Sequence, residues 1–297
     1  MEIRHFDNTI IYEAAEEGIR ITGITGNDPQ IILPDRIDGI PVTEIGRYCF
    51  SESSILSICL PSCVRTLHNG AFYNCRKLEK LSCGTDINGI GSDVFTNCTR
   101  LHQIIVRGDA GQPTGLRLIL ERLPDDLTVV FQGSSKDVRL FFPEYYEWLD
   151  EITPAHLFSR SIHGEGYRMR KCFSNRILDP AKYDQCFGRA ITSESDRAIC
   201  RIGLNRLLYP YGLSSEFRQL YKTEISGRIS SCYALAVEKQ SMSLLQYICT
   251  ELSPDTNALT EAYDMALQEE WGEGCAYLTA ERHRLTKARN YEIDWNL

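Results

Sequence analysis

The sequence lacks the long apolar runs and the basic excess that mark membrane-spanning and nucleic-acid-binding chains. No apolar run approaches the roughly 18 residues that a spanning helix needs. The 297 residues carry 32 Lys and Arg against 40 Asp and Glu, a formal charge of −8, and neither half of the chain is basic. Partners are therefore expected to be neither nucleic acid nor an anionic membrane surface, and no membrane insertion is expected.

The first residues also lack the features of a secretory signal. Residues 1–8 contain neither a basic region nor the apolar core that export requires. Twelve cysteines are present, so disulfides are arithmetically possible, but without a signal reduced thiols are the better expectation. The predicted location is the cytoplasm; the alternative is the cell surface, if a signal peptide has been removed.

Metal-ligand spacing and cofactor motifs are missing as well. Cys59 and Cys63 are separated by three residues, and no second Cys or His pair complements them, so no metal site is predicted. The stretch from Gly164 to Gly166 is too short for a dinucleotide-binding loop. The sequence predicts no cofactor.

What the sequence does contain is an internal repeat. Phe50, Phe72 and Phe95 are 22 and 23 residues apart, and each ends a six-residue pattern that begins with Ile or Leu. Each Phe is followed by a small residue and then by a leucine, in the pairs Ser53–Leu56, Cys75–Leu78 and Cys98–Leu101. Strand-like pieces come next, at residues 58–60, 81–83 and 104–106.

This repeat predicts a solenoid. A unit of 22–23 residues cannot bury its apolar face alone, so neighbouring units must stack to close a core. The strand pieces would form a parallel sheet with alternating inward and outward side chains. We expect the three phenylalanines to stack inside the solenoid and the thiols of Cys75 and Cys98 to be buried at its turns.

Residues 18–26, 31–34 and 37–46 resemble the opening of the treponemal (BspA-like) bacterial leucine-rich repeats, and the resemblance covers about residues 15–108. It implies a curved solenoid with a right-handed coil that binds other macromolecules and catalyses nothing. His68 departs from the family pattern, which has Gly there, and Cys83-Gly84 replaces Leu-Pro. Only about three full units are recognised, which predicts a short arc.

Further elements are expected to close the ends of the solenoid. Residues 9–12 and 19–22 read as an N-terminal β-hairpin. Residues 114–122 have helical spacing, and residues 127–131 read as a last strand. Residues 132–135 then mark the end of the repeat region.

From residue 142 onward the period becomes helical. A helix is predicted to follow Ser193 and to end at Tyr209-Pro210, and Ser214 is predicted to cap another. Residues 232–240 with 243–249, and residues 257–268 with 271–289, resemble ankyrin-like helix pairs only weakly. The expected fold class is α+β in two domains, a leucine-rich-repeat solenoid followed by an all-α helical-hairpin domain. The predicted boundaries are 1–140 for the solenoid, 141–190 for a junction segment and 191–297 for the helices.

The function that these features favour is non-enzymatic protein–protein interaction. The predicted partner-binding surface is the outward side of the parallel sheet, where side chains alternate with core residues. Its candidate residues are Ile32, Ser57, Cys59, Lys80, Ser82, Gln103, Ile105 and Arg107.

The alternative is a small-molecule binder or a Cys/His enzyme at the junction. Its candidate residues are Tyr145, Trp148, His156, His163, Glu165, Tyr167 and Cys172, since a Cys–His pair can act as a nucleophile. No strand–turn–helix elbow or oxyanion-forming glycine pattern accompanies them, so no catalytic residue is assigned. The basic residues Arg168, Arg170 and Lys171 are expected to pair with local carboxylates.

Overall fold

The computed structural model describes residues 1–133, 136–152, 157–252 and 255–294. The chain divides into two compact units, Met1–Arg189 and Ala190–Leu297. The boundaries predicted at residues 140 and 190 concern which pieces fold on their own, and they stay a prediction.

The first unit begins with short strands and one helical turn. In chain order the strands are β1 (Glu2–His5), β2 (Asn8–Ala15), β3 (Gly18–Thr25), β4 (Gln30–Ile32), β5 (Arg36–Ile37), β6 (Ile40–Ile45), β7 (Ser57–Cys59), β8 (Thr66–Leu67), β9 (Lys80–Cys83), β10 (Gly89–Ile90), β11 (Gln103–Val106), β12 (Leu127–Phe131) and β13 (Val138–Phe142). Helix α1 (Leu116–Leu120) lies between β11 and β12.

Strands β4, β7, β9, β11 and β12 form the front sheet, in that order and all parallel. Strand β13 continues it as an antiparallel edge. The predicted parallel sheet and solenoid are confirmed, but the estimate of about three units is too low, since the front sheet has five parallel strands. The repeat pattern did not reveal β4 and β12, because these two strands belong to end repeats that lack the Phe–small–Leu signature.

A second parallel sheet, the back sheet, was not predicted. It contains β3, β6, β8 and β10, and β2 and β3 form an antiparallel hairpin where the sequence predicts one. Strands β8 and β10 have two residues each. Two residues are too few for alternation to appear in a sequence pattern.

The core between the sheets contains the predicted aromatic stack. The ring of Phe72 lies 5.3 Å from that of Phe50 and 5.6 Å from that of Phe95, nearly parallel to both. The buried thiol of Cys75 donates to the carbonyl of Phe50, and that of Cys98 donates to the carbonyl of Phe72. The cysteines therefore join each turn to the preceding one.

Strands continue past the predicted end of the repeats. Strands β14 (Tyr146–Ile152) and β15 (Leu157–His163) form an antiparallel ribbon, as do β16 (Phe173–Ser174) and β17 (Ile177–Leu178). Helix α2 (Gly166–Met169) separates the two ribbons, and α3 (Pro180–Ser193) follows them. The prediction of a helical period from residue 142 is therefore wrong for β14 to β17. Strands β16 and β17 have two residues each, and residues 146–149 of β14 are all exposed, so neither segment carries the alternation of burial that predicts a strand.

The second unit is helical, as predicted. Its helices are α4 (Asp196–Leu208), α5 (Ser215–Ser226), α6 (Ile229–Glu238), α7 (Met242–Glu251), α8 (Thr256–Gln268) and α9 (Gly272–Asp294). They pair as α4 with α5, α6 with α7 and α8 with α9, and α6 also packs against α4 and α8. Side chains of Ser195, Ser214, Ser241 and Asp255 cap α4, α5, α7 and α8.

The last two hairpins repeat their turn geometry at a spacing of 30 residues. Gln240 and Glu270 both have positive φ, at 43° and 52°. The amide of Ser241 donates to Ala236, and the amide of Trp271 donates to Ala266, each over 2.9 Å. This period is not evident in the sequence because few side chains recur with it. The ankyrin-like character of the hairpins stays a prediction.

Candidate functional site

The outward side of the front sheet carries two rows of side chains in register. The first row is Gln30, Ser57, Lys80, Gln103 and Thr128, and the second is Ile32, Cys59, Ser82, Ile105 and Val130. Inward residues such as Ile58, Leu81 and Ile104 alternate with these and are buried. All the candidate residues chosen from the sequence thus lie on this side, and their role in binding stays a prediction.

This side of the sheet is open over only part of its width. At the fifth parallel strand Val130 is buried, and on the next strand Phe141, which pairs with Thr128, is buried too. Ile32, on the first strand, is 58% exposed. We define the open face as the outward side chains of β4, β7, β9 and β11 together with Arg107.

Arg107 lies across this face rather than pointing away from it. Its Nη1 donates to Cys59 Sγ over 2.5 Å and to Ser82 Oγ over 3.0 Å. Its Nη2 donates to the carbonyl of Leu60 and, over 3.3 Å, to Ser62 Oγ. The guanidinium is thereby fixed above the middle of the second row, two strands away from the strand that it follows.

The open face contains positive charge and no carboxylate. Lys80 and Arg107 are its charged groups, and neither forms an ion pair with a carboxylate in the part of the chain that the structure describes. The four acceptors of Arg107 are all neutral. A charge of this kind is fixed in place without being neutralised.

The junction residues are distributed over separate elements of the first unit. Tyr145 and Tyr167 meet edge to face with ring centroids 5.3 Å apart, and His163 stacks on Tyr146 at 4.9 Å. Trp148 is 57% exposed on the β14–β15 ribbon. His156 lies outside the described residues.

Cys172 does not have the environment of a nucleophile. It is buried, and its Sγ lies 3.8 Å from Cys186 Sγ. The hydrogen bond with Cys186 and burial raise the pKa of the Cys172 thiol, so it is protonated at neutral pH and a weak nucleophile. No hydrogen bond among the described residues joins it to His163.

The basic residues of the junction, Arg168, Arg170 and Lys171, do not all pair with carboxylates as predicted. Arg168 pairs with Glu165 at 2.5 Å, as expected, but Lys171 contacts the hydroxyl of Tyr167. Arg170 is buried and donates to backbone carbonyls instead of carboxylates. Its acceptors are Leu123, Pro124, Asp125, Pro143 and Gly166.

Arg170 therefore ties the segment after β13 to the end of the solenoid. Burial lowers its pKa to about 10, which still leaves the guanidinium charged at neutral pH. Its position between Phe142 and Tyr145, at 5.9 and 5.1 Å from their ring centroids, adds cation–π contacts. No local sequence signal identifies this role, because the acceptors are 45 to 47 residues away for three of the five carbonyls.

The remaining features that could indicate a function are a groove, metal-ligand clusters and membrane-spanning helices. An open groove of about 530 Å³ is lined by Glu121, Arg122, Pro124, Asp125, Glu144, Tyr145, Tyr146 and Glu147. Within residues 1–133, 136–152, 157–252 and 255–294 no group of three His, Cys, Asp or Glu side chains could hold a metal ion. Nor is any helix in these ranges long and apolar enough to cross a membrane.

Solved structures of leucine-rich repeat proteins are similar to part of this chain. A chain from Bacteroides capillosus, a leucine-rich repeat protein, is 20% identical over 35% of this chain and 80% of its own, with a TM-score of 0.31. One from Bacteroides ovatus is 22% identical over 33% of this chain and 29% of its own, with a TM-score of 0.28. The leucine-rich repeat protein of T. pallidum is 21% identical over 33% of this chain and 71% of its own, with a TM-score of 0.24.

No curated protein matches the sequence. The model of the BspA type leucine-rich repeat region matches residues 29–111, in six copies. These residues include β4 to β11, the three stacked phenylalanines and every strand of the open face. Residues 29–111 are a leucine-rich-repeat region of the BspA type.

Proposed function

We propose that the protein is a non-enzymatic scaffold that binds a protein partner through the open face. The observation that carries this proposal is the face itself: four parallel strands in continuous register, exposing polar, small and apolar side chains above a packed core. Such a surface is rigid before binding, so association costs little ordering of the scaffold. Repeat solenoids commonly present extended surfaces of this kind to partners.

The proposed test compares two variants with equal changes in charge. Lys80→Glu combined with Gln103→Glu makes the open face more negative by three charges. Arg76→Glu combined with Lys77→Gln makes the same change on an exposed turn outside the face. Partners captured by the unmodified protein from its source organism should be lost with the first variant and retained with the second, at unchanged melting temperature.

The β14–β15 ribbon is the second candidate surface. Tyr146, Trp148 and Leu149 are exposed there, a concentration of apolar surface that is uncommon outside binding sites. If the variant with two open-face substitutions captures every partner, the open face is not the binding surface. Trp148→Ala combined with Leu149→Ala should then abolish capture.

We also propose that the protein works in the cytoplasm. Nine of its cysteines are buried as thiols, and two of them, Cys172 and Cys186, lie close together without being joined. A reducing compartment would preserve this state. Protein isolated under thiol-trapping conditions should carry twelve modifiable thiols after unfolding, and intramolecular disulfides would place it outside the cytoplasm.

A further inference from the structure

We infer that the open face recognises an extended polypeptide segment in which an acidic residue stands between two apolar residues, each two positions away. The inference rests on the proposed function, because it names the chemistry of the partner that would bind the same face. It is carried by three features of the second row: the fixed guanidinium of Arg107, the isoleucine on either side of it and the small side chains beneath it.

The guanidinium is the first feature. Four of its N–H groups already point to neutral acceptors, and Nε–H has no acceptor among the described residues. One oxygen of a partner's carboxylate can accept a hydrogen bond from Nε–H. Its other oxygen can take the place of Ser62 Oγ as an acceptor for Nη2, because the bond from Nη2 to Ser62 is long, at 3.3 Å. The two hydrogen bonds form a side-on pair. Because Cys59, Ser82 and Leu60 hold the group in place, the pair forms with little loss of side-chain freedom.

The spacing of the row is the second feature. Ile32 and Ile105 stand three strands apart, and at about 4.8 Å per strand this is about 14 Å. An extended chain advances about 3.3 Å per residue, so residues i and i+4 are about 13 Å apart and face the same side as residue i+2. A segment laid across the strands therefore places two apolar side chains near Ile32 and Ile105, with the middle side chain near Arg107.

The floor of the row is the third feature. Cys59 and Ser82 are the small residues between the two isoleucines, and they leave the space above them that the guanidinium of Arg107 occupies. Larger residues at these positions would fill that space.

The charge of the open face indicates which class of partner it binds. The open face has no carboxylate that would repel an acidic side chain, whereas the chain as a whole carries −8. That overall charge opposes the approach of a nucleic acid, which needs several phosphate contacts along a basic surface. A single fixed guanidinium between apolar groups instead matches one carboxylate on a mixed polypeptide segment.

The experiment measures binding of two fluorescein-labelled peptides to the full chain by anisotropy. Both contain Val-Thr-X-Thr-Val between Gly-Ser flanks, with X as Glu in one and Gln in the other. Each peptide is titrated with the unmodified protein, with Arg107→Gln and with Arg100→Gln. Arg100 lies on an exposed turn before β11, so its variant removes the same charge outside the face.

The Glu peptide should bind the unmodified protein at least about tenfold more tightly than the Gln peptide, as expected for a hydrogen-bonded charge pair. This preference should disappear with Arg107→Gln, persist with Arg100→Gln and weaken as salt is raised. Because the comparison is between peptides on one protein, a change in the stability of the variant cannot imitate it.

Equal binding of the two peptides, a preference that persists in Arg107→Gln, or no binding of either peptide overturns the inference. Displacement of the Glu peptide by an oligonucleotide of matched charge also overturns it. Failure of this inference can be told apart from failure of the proposed function.

If the two peptides bind equally and Ile32→Ala or Ile105→Ala weakens the binding of both, the open face is a docking surface without acidic specificity. If the open-face substitutions leave the capture of partners unchanged, the proposed function itself is wrong.

Discussion

The phenylalanine stack shows how much one residue of each repeat contributes. Phe72 is completely buried and has a ring on both sides, so its removal leaves a cavity that the neighbouring turns cannot close without moving. Its place was predicted from the repeat period alone, because the inward position of one repeat stacks on that of the next. The same register places Lys80 on the open face.

We expect Phe72→Ala to lower the free energy of unfolding by about 3–5 kcal/mol. Lys80→Ala, the matched exposed variant, should change it by no more than about 0.5 kcal/mol. Urea denaturation followed by circular dichroism measures both. A loss below about 1 kcal/mol for Phe72→Ala would show that the stack relaxes around the missing ring.

His68 shows what a departure from the family pattern does. It stands where the resemblance implies a glycine, and it contacts Glu44 across the back sheet at 2.7 Å, where Glu44 also accepts from Arg20 at 2.7 Å. Burial alone would raise the pKa of Glu44, but the hydrogen bonds from His68 and Arg20 outweigh it, and the pKa is lowered. A lowered pKa means that folding favours the ionised carboxylate.

The contribution of Glu44 should therefore be present above the ordinary glutamate pKa of 4.5 and fade as the pH falls through the lowered value. At neutral pH Glu44→Gln should lower the free energy of unfolding by about 0.2–1 kcal/mol, the usual range for a partly exposed pair. Denaturation of both proteins across the acidic range measures the difference. A difference that grows as the pH falls below 4.5 would contradict the assignment.

How well each helix or strand could be predicted followed the length and periodicity of its segment. The helices of the second unit were predicted from their apolar spacing, α8 to within one residue of its observed start and at its observed end, and Ser214 was identified as the cap of α5 from sequence alone. The two-residue strands of the back sheet and the two ribbons after residue 142 were missed. Strands β8 and β10 pair with strands more than 20 residues away, and β16 and β17 have only two residues each. Residues 146–149 of β14 are all exposed, so their side chains show no alternation of burial.

Asp255 allows the capping of these helices to be tested. Its side chain accepts from the amide of Ala258 over 2.8 Å at the start of α8. Asp255→Ala should lower the free energy of unfolding of the second unit by about 0.5–2 kcal/mol, because that amide loses its acceptor. Asp255→Asn keeps an acceptor oxygen and is the matched control; equal losses for both variants would rule out the cap as the cause.

The first unit extends well beyond the repeats. Arg170 reaches the carbonyls of Leu123, Pro124 and Asp125, Arg176 reaches those of Ile87 and Thr114, and the hydroxyl of Tyr183 donates to Phe141. These contacts cover the last turn of the solenoid. An open solenoid end exposes core and sheet edge, so such a cover stabilises it.

Two truncated chains test this organisation. Residues 1–140 are predicted to unfold cooperatively, and residues 1–193, which end with α3, should do so at a clearly higher temperature because they retain the contacts of Arg170 and Tyr183. Calorimetry of both chains measures the difference. Arg170→Met in the longer chain should remove much of the gain, since it leaves buried carbonyls without donors; equal melting temperatures for the two chains would place the cap elsewhere.

Four features could be predicted from the amino-acid sequence: the solenoid, the inward and outward positions of its strands, the phenylalanine stack and the helices of the second unit. Each of these repeats with a short period, so burial imposes the same pattern on neighbouring residues. Three others become visible in the folded chain alone: Arg107 lies across the open face, Arg170 closes the solenoid on backbone carbonyls, and the open face ends at Val130. These features depend on contacts such as that between Arg107 and Cys59, 48 residues apart, where long side chains meet groups that chain folding alone brings near.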